Sequence, residues 1–162
     1  MNVERLFMAC VTVTMILFGS TSHARERQEK KQPSVSHGRY MVIIAGCNDC
    51  HTSGYADAEG KIHESLWLTG DIVGWNGAWG TTYPVNLRLL VSTLTEKQWM
   101  EDIKHAKARP PMPWYALREM NDNDFRSIYC FIRHLGPAGK KAPDFVPPSI
   151  KPEGPYVRYP QP

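Results

Sequence analysis

The sequence predicts an all-α domain followed by an extended tail, and three observations carry that expectation. The clearest lies at 121–136. Asn121 is a good N-cap, and Asp122 and Asp124 sit in the first turn, where the helix dipole favours anions. Phe125, Ile128, Tyr129, Ile132 and Leu135 then recur at helical spacing. Arg133 and His134 occupy the last turn, and Gly136-Pro137 stops the helix. The second is Thr95-Glu96-Lys97-Gln98, which reads as a capping box, with Trp99, Met100, Ile103 and Ala106 on one face of the helix it opens. The third is the apolar stretch of Tyr40, Val42, Ile43, Ile44 and Ala45, with Pro33 and the serines at 34 and 36 suited to starting a helix.

Other segments are defined by what they lack. Residues 1–24 read as a cleavable signal peptide: Arg5 lies in a short n-region, Leu6 to Phe18 is mostly apolar, and Ser22-His23-Ala24 ends the pattern. Thr12, Thr14 and Gly19 to Ser22 interrupt the apolar run. It therefore falls short of the roughly 20 residues of a membrane anchor, and no stable span is expected after signal removal. Residues 25–35 begin Arg-Glu-Arg-Gln-Glu-Lys-Lys-Gln, a charged arm with almost nothing apolar to bury. Residues 36–136 would form the domain. Residues 137–162 hold eight of the 13 prolines and read as an extended tail on its surface. Thr52 to Val91 is rich in Gly and Trp, lacks a long period, and reads as loops with one short helix. Forty such residues need something large to pack against. The formal charge is only +3, which gives no case for nucleic acid.

Cysteine usage points to the chemistry. Beyond residue 24 the cysteines are Cys47, Cys50 and Cys130, an odd set for a secreted chain. Cys47-Asn48-Asp49-Cys50-His51 is a C-x-x-C-H sequence. Two thiols at this spacing can add across the two vinyl groups of a haem, and the adjacent histidine can point at the iron. A thioredoxin-like dithiol would open a helix after a strand, whereas here a helical segment precedes the motif. A zinc site needs a second ligand pair, and His37, His63, His105 and His134 are scattered. The expected cofactor is one covalent haem c. For the sixth iron position, Met41 lies in the first helix, Met100 on an apolar helix face, and Met120 one residue from the last helix. Met112 stands in Arg109-Pro110-Pro111-Met112-Pro113-Trp114, where prolines stiffen the loop. Met112 is the favoured ligand, with a histidine or an open site as the alternatives.

These residues make the chain resemble the class I c-type cytochromes, in particular small bacterial periplasmic ones. The likeness runs from Gly38 to Pro148. It is carried by Gly38-Arg39-Tyr40, Gly46 to Thr52, Gly77 to Tyr83, Asn86-Leu87, Pro111 to Trp114 and the helix from Asn121. Similar sequences occur as free mono-haem cytochromes and as domains or subunits of dehydrogenases. The resemblance implies the cytochrome c fold, with three to five helices around one haem, crossed first and last helices, and His51 and a loop methionine on opposite haem faces. The nine residues from Met112 to Asn121 also look like the family's ligand loop. Cys130 stands where the family often has a small or apolar residue.

Further site residues are expected from proximity. Haem propionates need donors, and Trp79, Thr81, Tyr83, Asn86 and Arg88 cluster within ten residues, with Arg88 either a propionate partner or a solvated surface arginine. Trp67, Trp75, Trp79, Trp99 and Trp114 could wall the pocket or serve as plain core. Lys104, His105, Lys107 and Arg109 could form a basic rim beside the Pro110–Trp114 loop, or simply a solvated helix face. The functional expectation is a periplasmic one-electron carrier with His51/Met112 ligation and no catalytic residue. It would exchange electrons with a redox donor and acceptor, a periplasmic dehydrogenase among them. The alternative is a haem enzyme or ligand sensor with an open or labile sixth site; a dithiol oxidoreductase is a third reading.

Overall fold

The computed structural model describes residues 32–160. The expected signal peptide and most of the charged arm lie outside the described residues. In chain order the elements are α1 (Val35–Ile44), α2 (Cys47–His51), a 3-10 turn (Glu64–Leu66), β1 (Gly74–Gly77), β2 (Gly80–Thr82) and α3 (Leu87–Ser92). Next come α4 (Glu96–Gln98), which runs on as a π turn (Trp99–Ile103), then α5 (Trp114–Glu119), α6 (Asp122–Leu135) and β3 (Tyr156–Arg158).

The helices start and stop for the reasons their sequences give. The Ser34 side chain accepts from the His37 N–H and caps α1. Thr95 and Gln98 complete a reciprocal capping box on α4. Asn121 accepts from the Asp124 N–H, and the positive φ of Gly136 ends α6. The core is the α1–α6 pair and what packs on it. Val42, Leu68, Val91, Phe125, Phe131 and Ile132 are all at most 1% exposed. Trp99 stacks on Phe125 with ring centroids 4.7 Å apart, and its indole N–H donates to the Phe125 carbonyl at 2.9 Å. Gly38 lets the helices touch, because a Cβ there would stand 1.8 Å from the Ser127 carbonyl oxygen. The buried Ser127 hydroxyl accepts from the Ser34 N–H at 3.2 Å, and His37 Nε2 lies 2.6 Å from Asp124 Oδ1.

The all-α expectation is corrected by a three-stranded mixed sheet of order β2-β1-β3; the molecule is α+β. β1 pairs antiparallel with β2, Trp75 facing Thr82, and parallel with β3, Gly74 facing Tyr156. On the far side of the hairpin, Val146 exchanges two backbone hydrogen bonds with Thr81, at 2.7 and 3.0 Å. The chain beyond α6 therefore grips both edges of the β1–β2 hairpin. Among the described residues no helix is long and apolar enough to cross a membrane.

Candidate functional site

The C-x-x-C-H residues form α2 itself. Gly46, with φ of +68°, turns the chain sharply out of α1 and into it. The turn is anchored from inside. Thr52 Oγ1 donates to Asn48 Oδ1 at 2.7 Å and accepts from the Leu68 N–H at 2.8 Å. The Gly70 N–H donates to the His51 carbonyl at 2.8 Å. Both Asn48 and Thr52 are buried. A small polar cluster thus holds α2 against the segment around Leu68.

His51 is 8% exposed, and its Nδ1 lies 2.8 Å from the Val85 carbonyl oxygen. A carbonyl only accepts, so Nδ1 carries the proton and Nε2 is the nitrogen with a free lone pair. Burial lowers the pKa of His51, against the opposing pull of the Val85 bond. The ring is therefore held neutral, in one tautomer and one orientation, as a metal-ligating histidine requires. Cys47 and Cys50 are free thiols. Burial first, then the charge of Asp49, pushes the Cys47 thiol up to about 12 and raises Cys50 as well. Dithiol oxidoreductases need the opposite, a thiol pKa lowered towards neutrality.

Beside α2 lies a cavity of about 300 Å³. Cys50 and His51 line it, together with Trp75, Thr82 to Val85, Leu87 and Leu90. Ile103, Arg109, Pro111, Met112, Trp114 and Leu117 line it too. Its wall is largely apolar, the character of a site for a large hydrophobic ligand. Of the four methionines at 41, 100, 112 and 120, Met112 lines the cavity. Met41 is in the core, and Met100 and Met120 pack against it. Among the described residues no group of three or more His, Cys, Asp and Glu side chains could hold a bare metal ion. Cys50, His51 and Met112 bring one thiol, one imidazole and one thioether to this apolar space, while Cys47, in the same turn, packs against the core and does not line it; such a donor set suits a metal that brings its own macrocycle.

The other expected site residues divide. Tyr83 lines the cavity, but Trp79, Asn86 and Arg88 do not. Arg88 is corrected most firmly: its guanidinium donates to the backbone carbonyls of Gly136 at 2.5 Å, Ser65 at 2.6 Å and Leu135. It is a cap on the C-terminal end of α6, whose carbonyls attract a cation. Asn86 caps α3 and donates to the carbonyls of Ala138 and Lys140, at 2.8 and 3.1 Å. Trp79 packs edge-on against Tyr159, and its buried indole N–H has no hydrogen-bond partner among the described residues. Of the remaining tryptophans, Trp75 and Trp114 line the cavity, while Trp67 and Trp99 are core. The basic rim loses Lys104, which is buried and paired with Asp122 at 2.8 Å. His105 and Lys107 are exposed. Sequence reasoning missed Val85, whose carbonyl orients His51. A backbone acceptor contributed by a loop 34 residues away leaves no side-chain signal.

No family model matches the chain, and no solved structure matches it. It is similar to the cytochrome subunit of fructose dehydrogenase from Gluconobacter japonicus, 25% identical over 141 residues. The match covers 78% of this chain and 27% of that subunit, so the chain spans about a quarter of its relative's length. The likeness is distant and cytochrome-like.

Proposed function

We propose that this protein is an exported one-electron carrier, a mono-haem c-type cytochrome with His51 and Met112 as iron ligands. The observation that carries the reading is the shared cavity. Cys50 and His51 of the C-x-x-C-H turn line the same apolar space as Met112, although 60 residues separate the two ends of the site. The cytochrome subunit relative supports the same class. When bound, the haem supplies an iron that cycles between ferric and ferrous states.

The chain's own residues account for the rest. The Cys47 and Cys50 thiols would each form a C–S bond to a vinyl carbon, the thiol hydrogen passing to the neighbouring carbon, with no net oxidation. His51 presents Nε2 because Nδ1 is committed to Val85. Met112 offers a soft neutral donor that favours ferrous iron. Apolar walls from Trp75, Leu87, Leu90 and Leu117 exclude water and disfavour extra charge at the centre. His51 and Met112 together would hold the iron so that it exchanges an electron without binding a substrate. A dehydrogenase is the proposed class of donor, since the relative is a subunit of one.

The test is direct. The full chain is exported from a host that assembles c-type cytochromes, and its intact mass and haem stain are measured. One covalent haem on a chain beginning at Arg25 is expected; a mass without haem overturns the reading. Carbon monoxide binding and peroxidase turnover by the intact protein separate carrier from enzyme. Both should be negligible, and substantial turnover rejects the carrier assignment.

A further inference from the structure

We infer that Arg109 and Thr82 form the polar end of the cavity and bind the carboxylates of the haem, an assignment that rests on the haem reading above. A second cavity, of about 440 Å³, adjoins the first. Thr82, Tyr83, Val85, Leu90 and Arg109 line both. Two polar groups on that shared wall have no hydrogen-bond or ion-pair partner among the described residues. The Thr82 hydroxyl oxygen is buried and has no hydrogen-bond partner among the described residues, an arrangement that calls for a ligand atom opposite it. The Arg109 guanidinium lies over the Phe145 ring, 3.9 Å from its centroid, and no hydrogen bond or ion pair among the described residues engages it. Stacking uses the face of the guanidinium and leaves its in-plane N–H donors available, the geometry that suits a carboxylate.

The competing groups are already committed. Arg88 is spent on three backbone carbonyls and the Asn86 amide on two. Lys141 and Asp144, both on the second cavity, pair with each other at 2.6 Å. Asp144 is thereby neutralised and does not repel an anion at the shared wall. A haem is an apolar ring with two carboxylates on one edge. The first cavity offers an apolar chamber, and its junction with the second offers the Arg109 guanidinium and the Thr82 hydroxyl, neither of them hydrogen-bonded among the described residues. The charge that the sequence assigns to Arg88 is thus supplied by Arg109, from the loop that also carries Met112.

Resonance Raman spectra and reduction potentials of the holoprotein test this, using the variants R109Q and T82V beside K61Q, a change at an exposed lysine outside both cavities. The propionate bending mode should move in R109Q and, to a smaller extent, in T82V, and stay in place in K61Q. The potential should fall in R109Q, because removing a nearby cation favours ferric iron. T82V carries the test alone if R109Q does not accumulate. Holoprotein whose propionate mode is unmoved in the variants overturns the assignment while leaving the haem reading intact. A wild-type protein without haem overturns both.

Discussion

Replacing Gly38 by Ala should strongly destabilise the protein, although alanine is the better helix former. The added Cβ would lie 1.8 Å from the carbonyl oxygen of Ser127, 2.5 Å from its carbonyl carbon and 2.8 Å from Phe131 Cβ. Non-bonded carbon contacts are comfortable near ~3.5–4.0 Å. Two of the three obstacles are α6 backbone, so no rotamer change relieves the clash, and α1 and α6 must separate. Overpacking of a core costs about 1–3 kcal/mol, and a backbone obstacle puts this case at the upper end. Separation also loosens Val42 and Phe131, both fully packed. Against this, Ala in place of Gly in a helix returns about 1 kcal/mol. The net loss is about 2 kcal/mol, which for a domain of this size lowers Tm by about 6–10 °C. Far-UV circular dichroism melts of the holoprotein, with urea titrations to confirm an unchanged m-value, measure it. An equal or higher Tm would refute the close helix contact on which the calculation depends.

Met112→Ala should open the iron, lower the potential and allow ferrous carbon monoxide binding, whereas Met120→Ala should leave ligation intact; magnetic circular dichroism of the ferric proteins reports the ligand. Arg88→Gln should cost about 1–3 kcal/mol, because half-buried carbonyls at the end of α6 lose their charged donor, yet leave the haem spectrum and potential unchanged. Asp122→Asn should flatten the acid limb of the stability curve. The Lys104 ammonium, by hydrogen bond and charge, holds the Asp122 carboxyl below its ordinary value. In the window between the folded and unfolded values the unfolded chain binds the extra proton. The Asp122 contribution is therefore complete above the unfolded value and is lost as pH falls through the folded one. Urea midpoints across an acidic pH series should fall more steeply in the wild type than in the variant.

The helices were legible because their signals are local. Asn121, Thr95 and Gly136 cap where their side chains or φ freedom allow, and the apolar period of α6 marks the face that meets α1. The sheet was not legible. Gly74-Trp75-Asn76-Gly77 and Gly80-Thr81-Thr82 are short, glycine-bearing and without apolar alternation, while Tyr156-Val157-Arg158 sits among prolines. These strands exist because distant backbone groups pair, which composition does not encode. The C-x-x-C-H turn could be read because its chemistry fixes its spacing. Proximity in sequence misled at Arg88, only three residues from Val85. Once α3 starts at Leu87, the Arg88 side chain turns to the end of α6 while the Val85 carbonyl faces His51.

The two-edged grip of the C-terminal segment bears on solubility as much as on shape. A lone two-stranded hairpin is marginal in water, and each unpaired edge is a template for strands from other molecules. Val146 occupies the β2 edge through Thr81, and β3 occupies the β1 edge, so both are taken by the chain itself. Proteolytic cutting between α6 and Val146 would release both at once. The hairpin carries Trp75 and Thr82 of the cavity wall, so the clipped protein would become adhesive at the place where its apolar chamber came open.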